Sequence, residues 1–223
     1  MKDFVFFDFD GTIADCRQFQ VDRLKKLFLK YGVDTKNIDF LELIGPPLYN
    51  TFAKFMGKQK AQQVLQEYNS TFSFEDPQGF CAFEGVPQML IQLKSLGFKI
   101  ALTSLQHQNI VHTELKFLGL QNVFDAIFCD TPQKAYRSKS ELIADALKQT
   151  KLDPNRVVVV GDTIFDVQGG TQNRLCTIGV SWGYGKIDQQ SVNFVASTPQ
   201  QLLKILESLH ACEQNTDALL LGF

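Results

Sequence analysis

The sequence predicts an α/β protein in which a parallel sheet is interrupted, after its first strand, by a small helical insert. Three observations support this fold class. Short apolar runs at 4–7, 98–102 and 157–160 end in polar residues, which is typical of buried strands. Helical periodicities lie between these runs, so strand and helix alternate. The segment 15–83 departs from this alternation, because it carries helical periods and no convincing strand.

The composition excludes several classes of function. The 223 residues are 44% hydrophobic, and 22 Lys and Arg nearly balance 24 Asp and Glu, which gives a net charge of -2. The chain can therefore bury a core, and we expect no nucleic-acid partner, because that needs a broad basic surface. No window approaches the roughly 18 apolar residues of a membrane span, and no export signal is visible. Five scattered cysteines without a Cys-x-x-Cys spacing suggest reduced thiols and a cytoplasmic location.

The core is expected to comprise residues 1–14 and 84–223 as a Rossmann-like parallel sheet with flanking helices. Pro87 suits the first turn of a helix and Gly97 its stop, while Ser138 and Glu141 have the spacing of a capping box. The remaining predicted core elements are strands at 124–129, 175–180 and 192–196 and helices at 86–96, 106–118 and 138–149.

Residues 15–83 are expected to form an α-helical cap over the carboxyl edge of the sheet. Short helices cannot extend a sheet, but they can pack on one another as a bundle. The two connections to the core, near 14–15 and near 83–85, can act as a hinge. The apolar positions that recur at helical spacing are Val21, Leu24, Leu27, Phe28 and Tyr31, then Leu48, Phe52, Phe55 and Met56, then Ala61, Val64, Leu65, Tyr68 and Phe72.

Two acidic clusters follow predicted strands. Asp8 and Asp10 precede Gly11 after the first strand, and Asp162 and Asp166 follow the strand at 157–160. Either cluster alone is also typical of a solvated turn. Parallel strands end at one edge of a sheet, so together the clusters predict a shared hard cation such as Mg²⁺, without which the like charges would repel one another.

Hydroxyl and ammonium groups near the same edge are candidates for binding phosphate. Thr103 and Ser104 end a third strand and offer hydroxyls and backbone amides. Lys139 opens a predicted helix, where a positive charge opposes the helix dipole. Lys134, just upstream, is the alternative cation, and ordinary solvated lysines remain a competing interpretation.

These pieces, in this order, resemble the haloacid dehalogenase superfamily, within its phosphatase branch. The resemblance covers essentially the whole chain. The segments 44–48 and 179–185 look like phosphoglycolate phosphatase-like members, and 137–139 with 182–185 looks closest to 5'-nucleotidase-like members. Two positions depart from the family pattern. Relatives often carry Asn or Lys shortly after the threonine of the second motif, whereas this chain has Ser104-Leu105-Gln106. Close relatives commonly have a Lys-Pro pair in the third motif, which Lys139 does not form. The family motifs correspond here to Asp8-x-Asp10-Gly11-Thr12, Thr103, Lys139 and Gly161-Asp162-x-x-x-Asp166.

The resemblance implies a Mg²⁺-dependent hydrolase of a small phosphorylated metabolite. Asp8 would be the nucleophile that forms an aspartyl-phosphate, and Asp10 the general acid and base. The metal would be held by the Asp8 carboxylate, the Asp10 carbonyl and Asp162, with Asp166 close by or acting through a water molecule. The phosphate oxygens would be held by Gly11, Thr103, Ser104 and Lys139.

Several alternatives stay open at this point. A phosphoryl-transferring mutase of the β-phosphoglucomutase type would use the same motifs. A non-catalytic relative with the same fold is expected to lack Asp8, Asp10 or Asp162, and all three are present here. The turn 45–47 is a candidate loop over the site or a simple helix break. Trp182 and Tyr184 are expected to be loop anchors, and Thr12 a structural hydroxyl. The substrate, the oligomeric state and the order of the tail after about 211 are not predicted.

Overall fold

A computed structural model describes residues 2–44, 46–70, 79–131, 133–134 and 138–211 of the chain. The strands are β1 (Phe4–Phe7), β2 (Ala14–Asp15), β3 (Cys81–Ala82), β4 (Lys99–His107), β5 (Ala126–Asp130), β6 (Val157–Gly161), β7 (Cys176–Val180) and β8 (Phe194–Ala196). The α-helices are α1 (Arg17–Lys30), α2 (Leu48–Met56), α3 (Lys58–Ser70), α4 (Val86–Ser95), α5 (Gln108–Phe117), α6 (Lys139–Thr150), α7 (Ile164–Gln172) and α8 (Pro199–Ala211). None of the helices in the described part of the chain is both long and apolar enough to traverse a bilayer.

Six strands form one parallel sheet in the order β5-β4-β1-β6-β7-β8, which confirms the predicted α/β fold. The first strand lies at the centre, where Phe7 pairs with Leu102 of β4 and with Val160 of β6. Crossover helices between parallel strands cover both faces of the sheet. The register therefore brings Asp8, Thr103 and Gly161 to one edge.

The two faces of β1 bury different side chains, as the two-residue period of a strand requires. Val5 and Phe7 belong to a core cluster with residues of α4, α5 and α8, whereas Phe6 packs with Ile143 and Ala146 of α6. These side chains are almost completely buried. Burial of an apolar side chain of this size contributes about 1.5–3 kcal/mol, so the central strand is held firmly from both faces.

One predicted boundary is wrong, because β4 continues to His107 and α5 begins only at Gln108. The strand keeps pairing with β5 after an irregularity between Thr103 and His107, and His107 lies opposite Asp130. The His107 ring then accepts a hydrogen bond from the Asn109 amide and caps the helix. Gln106 is consequently a strand residue at the sheet edge.

The cap helices α1, α2 and α3 bury a cluster of their own around Phe28. The Phe28 ring is fully buried and lies 5.4 Å from the ring of Phe40 and 5.2 Å from that of Phe55, measured between centroids. The chain enters and leaves the cap through β2 and β3, two-residue strands that pair antiparallel. Strands this short leave no periodic pattern, which is why the sequence did not indicate them. The division of the chain at 14–15 and 83–84 stays a prediction.

We predict that Phe28→Ala lowers the free energy of unfolding by about 3–5 kcal/mol, because it leaves a cavity among the packed rings. The matched control is Leu29→Ala on the same helix, since Leu29 is 65% exposed and its truncation costs less than about 0.5 kcal/mol. Urea titration of both variants measures the difference. Equal losses in the two variants would contradict the assignment of Phe28 to the centre of the cap.

Candidate active site

Three buried carboxylates meet at the edge of the sheet. Asp8 follows β1, Asp162 follows β6, and Asp166 lies in the first turn of α7. Carboxylate oxygens of the three residues lie within 4.8 Å of one another. The site therefore gathers acids from both sequence clusters, as expected from strands that end at one edge.

Asp166 is oriented by the start of its own helix. The Thr163 amide and hydroxyl donate hydrogen bonds of 3.2 and 2.8 Å to Asp166 Oδ2, as half of a capping box. The other oxygen, Oδ1, is buried and accepts no hydrogen bond from the residues that the structure describes, although Lys139 Nζ lies 3.0 Å away as an ion-pair partner. A side chain on residue 161 would overlap the Asp166 carboxylate, so Gly161 is required there.

Asp162 is held by backbone amides from a distant loop. Its Oδ2 accepts hydrogen bonds from the amides of Tyr184 at 2.7 Å and Gly185 at 3.0 Å. The Thr12 hydroxyl lies 3.5 Å from Oδ1, in keeping with its predicted structural role. Gly11 has a φ of +83°, and a Cβ there would overlap the Asp162 carboxylate. The absence of a side chain at Gly11 thus leaves room for the Asp162 carboxylate.

Lys139 is the cation of the cluster. Its ammonium group is buried, donates a hydrogen bond to Asp8 Oδ1 and another of 2.8 Å to the Thr103 carbonyl. Lys139 is the first residue of α6. Ser138 precedes it as the helix N-cap, as the sequence predicted, because Ser138 Oγ accepts a hydrogen bond of 3.2 Å from the Glu141 amide.

Lys134, the alternative cation, forms an ion pair of 2.8 Å with Asp145 and is 46% exposed. Its partner therefore lies on α6 rather than in the acidic cluster. Of the two candidate lysines, Lys139 is therefore the one that lies among the acids of the cluster.

The cluster carries more negative charge than its single lysine balances. Burial, with the negative charge of Asp166, raises the pKa of Asp8 well above its usual range, although Lys139 opposes this shift. Burial and Asp166 also raise the pKa of Asp162 to about 6. The pKa of Lys139 is itself raised, because its attraction to Asp166 and Asp8 outweighs the opposing effect of burial. A divalent cation would relieve this repulsion.

Asp10 lies beside the cluster and is bound by two side chains that the sequence did not single out. Gln106 Nε2 donates a hydrogen bond of 2.5 Å to Asp10 Oδ2, and Cys16 Sγ donates one of 2.9 Å to Oδ1. Burial raises the pKa of Asp10, while these two hydrogen bonds lower it. Gln106 had appeared only as a departure from the family motif, and placing it at the site required the longer β4.

Glu114 on α5 completes this buried group, with 2% of its surface exposed. Burial raises the pKa of Glu114 well above its usual range, and the charge of Asp10 raises it further. Its Oε2 and the Gln106 Oε1 are both buried acceptors that find no hydrogen-bond partner in the described part of the chain. A protonated Glu114 would lower the cost of burial, because it carries no charge.

The predicted phosphate-binding residues differ in their placement. Ser104 lines a cavity together with Asp8, Asp10, Lys139 and Asp166, while Gly11, Thr103 and Asp162 are absent from its described lining. The Thr103 hydroxyl is buried and lies 3.2 Å from the Phe7 carbonyl, to which it donates its hydrogen. Thr103 would have to rotate its hydroxyl to bind phosphate, so that role stays a prediction.

The cavity lies between the sheet edge and the cap, with a volume of about 590 Å³. Pro46 and Pro47 line it, which favours a loop over the site among the two alternatives for the turn 45–47, whose Gly45 lies outside the described residues. Arg137 also lies outside them, so the structure does not test the likeness of the segment 137–139 to 5'-nucleotidase-like members. The cavity has the size of a small-molecule site rather than a solvent crevice.

The 181–185 loop ties the acidic cluster to the base of the cap. The Trp182 indole donates a hydrogen bond of 3.1 Å to the Thr12 carbonyl, and the Tyr184 hydroxyl lies 3.1 Å from the Ala14 carbonyl and binds the Cys16 amide. Trp182 and Tyr184 are thus loop anchors, as predicted. The same loop supplies the amides that hold Asp162.

Curated relatives of two kinds match the chain. A tyrosine-protein kinase PtkA of Mycobacterium tuberculosis is 26% identical over 185 residues, which cover 82% of this chain and 64% of the relative. The chain thus spans less than two thirds of that protein's length. The pyrophosphatase PpaX of Bacillus cereus is 26% identical over 210 residues, covering 92% of this chain and 97% of the relative.

A solved structure of a predicted phosphatase from Clostridium acetobutylicum has the same fold. Its TM-score is 0.83 at 24% identity, and the match covers 93% of this chain and 99% of that one. The model of the family described as haloacid dehalogenase-like hydrolase matches residues 5–180, a range that includes the acidic cluster, Lys139 and the cap. The chain therefore belongs to the haloacid dehalogenase-like hydrolases.

Proposed function

We propose that this hydrolase is a Mg²⁺-dependent phosphatase that cleaves a small phosphomonoester through an aspartyl-phosphate on Asp8. The observation that carries the proposal is the set of three buried carboxylates within 4.8 Å of one another, with the buried Lys139 ammonium among them and two of the acids at the floor of a cavity. A phosphoryl dianion needs concentrated positive charge next to a nucleophile, and this arrangement can provide both.

The donor set fits Mg²⁺. Asp8, Asp162 and Asp166 offer hard oxygen ligands, and the buried Asp166 Oδ1 accepts no hydrogen bond from the described residues. The Asp10 carbonyl is the further ligand that the family resemblance implies. When bound, the ion supplies the positive charge that allows an anionic nucleophile to approach an anionic phosphoryl group.

In the first half of the reaction, an oxygen of Asp8 attacks the phosphorus, and the bond from phosphorus to the leaving oxygen breaks. Asp10 gives its proton to that oxygen, so a neutral alcohol leaves. The raised pKa of Asp10 supports this role, because the carboxyl must hold a proton near neutral pH. Lys139 stabilises the phosphoryl oxygens that are not transferred.

In the second half, Asp10 takes a proton from a water molecule, which attacks the phosphorus of the aspartyl-phosphate. The bond from phosphorus to the Asp8 oxygen breaks, and phosphate is released with Asp8 restored. The cap covers the cavity and limits the access of bulk water during the first half. A small phosphorylated metabolite of the cytoplasm is the proposed substrate class, in line with the cavity volume and the scattered cysteines.

We predict that Asp8→Asn lowers kcat about a thousandfold or more, because the amide is a poor nucleophile and cannot form the acyl phosphate. The matched control is Asp22→Asn, which changes an exposed carboxylate on α1 and should keep full activity. The measurement is the rate of phosphate release from p-nitrophenyl phosphate. Steady release also distinguishes a hydrolase from a mutase, because a mutase returns the phosphoryl group to a sugar. Full activity of Asp8→Asn would overturn the mechanism.

We predict that a chelator abolishes phosphate release and that Mg²⁺ restores it. In Asp166→Asn the Mg²⁺ concentration for half-maximal activity should rise about tenfold or more, because one charged ligand is lost. Titration of the chelated enzyme with Mg²⁺ measures this shift, again with Asp22→Asn as control. Activity that persists in excess chelator would contradict a metal-dependent reaction.

We predict that Gln106→Leu lowers kcat up to about tenfold, because Asp10 loses a positioning hydrogen bond worth about 0.5–1.5 kcal/mol. The effect should appear in kcat more than in KM, since Gln106 acts through the position of Asp10. Gln92→Leu, on the exposed side of α4, is the control and should leave both constants unchanged. An unaltered kcat in Gln106→Leu would show that this contact does not position the acid.

A further inference from the structure

We propose that the leaving group is neutral and rich in hydroxyls, as in a sugar, polyol or nucleoside monophosphate, and that cap amides bind those hydroxyls. The inference rests on the proposed phosphatase function and concerns the part of the cavity beyond the acidic cluster. It distinguishes such substrates from phosphomonoesters with a carboxylate and from pyrophosphate, which present the same reacting phosphoryl group.

The charge of the cavity lining is the first observation. Among the described residues, the carboxylates of its lining belong to Asp8, Asp10, Asp130 and Asp166, and the cation of its lining is Lys139. One divalent cation and Lys139 can neutralise the transferring phosphoryl group and part of these acids. A second anionic group on the substrate would then enter an acidic cavity whose described lining offers it no further cation. Burying an unpaired anion there is strongly unfavourable.

Two cap arginines, Arg23 and Arg17, are engaged by other groups. The Arg23 guanidinium stacks over the Tyr68 ring at 3.8 Å and donates a hydrogen bond of 2.7 Å to the Tyr68 carbonyl. The Arg17 guanidinium stacks over the Tyr184 ring at 4.5 Å and lies 3.4 Å from the Gly183 carbonyl. Tyr68 lines the cavity, while neither arginine does so.

The amides that line the cavity on the cap side are the second observation. They belong to Gln20, Asn50, Gln62 and Asn69, which come from all three cap helices. Each amide carries donors and an acceptor, so it can pair with a hydroxyl in either direction. Gln20 Nε2 donates to Cys16 Sγ at 3.2 Å, which leaves its oxygen as an acceptor. The other three amides have no side-chain hydrogen-bond partner within the described chain.

Apolar side chains of the cap also line the cavity, and they suit the carbon face of a ring. The lining residues of this kind from the cap are Leu43, Pro46, Pro47, Leu48 and Leu65. A volume of about 590 Å³ is far larger than a two-carbon phosphate or pyrophosphate needs. Amides beside an apolar wall are the usual composition of a site for a neutral hydroxylated ligand, because polar groups orient it and apolar surface buries its carbons.

The experiment compares kcat/KM within a matched substrate pair. Glycerol 3-phosphate and 3-phosphoglycerate have the same carbon count, but only the second carries a carboxylate. We expect kcat/KM for glycerol 3-phosphate to be at least about tenfold higher, and ribose 5-phosphate to be preferred to pyrophosphate. Equal or higher kcat/KM for 3-phosphoglycerate or pyrophosphate would overturn the inference and leave the phosphatase function standing.

A variant tests whether the cap amides cause the preference. Gln62→Lys places a cation in the lining and should lower the preference for glycerol 3-phosphate over 3-phosphoglycerate about tenfold. The matched control is Gln63→Lys, an exposed neighbour on α3 that lies outside the lining and should leave the ratio unchanged. The same ratio in both variants would overturn the role of the cap amides. Absence of phosphate release from every substrate, p-nitrophenyl phosphate with Mg²⁺ included, would overturn the proposed function itself, and this inference with it.

Discussion

Repulsion among buried carboxylates is the constraint on which this site depends. Asp8, Asp162 and Asp166 lie close together where the sheet ends, with Lys139 as the buried cation between two of them. Such a cluster is tolerable only if hydrogen bonds and opposite charge hold each acid. The capping box of α7 and the amides of the 181–185 loop provide those hydrogen bonds. The remaining excess charge is the physical basis for expecting a divalent cation.

The loop that holds Asp162 also fastens the base of the cap. The Tyr184 amide donates a hydrogen bond to the Asp162 carboxylate, and the Tyr184 hydroxyl donates one to the Ala14 carbonyl in β2. Gly183 and Gly185 permit this approach, because a Cβ at either residue would overlap Asp162. The acidic cluster and the base of the cap are therefore linked through the same loop, 181–185. A displacement of the cap base would therefore change the position of the Asp162 carboxylate through the 181–185 loop.

The active-site cavity divides into two chemical environments. The sheet edge supplies the charged groups, while the cap supplies amides and apolar side chains. In the proposed function, the reaction and the selection of the substrate would depend on these two different parts of the chain. This separation agrees with a common core chemistry combined with a variable cap, since only the cap would have to change for a new substrate.

The amino-acid sequence by itself determined the sheet, the edge at which its acids meet and the helix start that carries Lys139. These features follow from local patterns, namely apolar runs, acids that follow them and a serine three residues before a glutamate. The tertiary structure alone decided that Gln106 and Cys16 bind Asp10, that Lys139 rather than Lys134 lies among the acids, and that Tyr184 and Gly185 hold Asp162. Each of these contacts joins residues distant in sequence or depends on where β4 ends, and no local pattern encodes the approach of such segments. The strands β2 and β3 escaped prediction for the same reason, because two residues gain their hydrogen bonds only from a partner brought close by the folding of the whole cap.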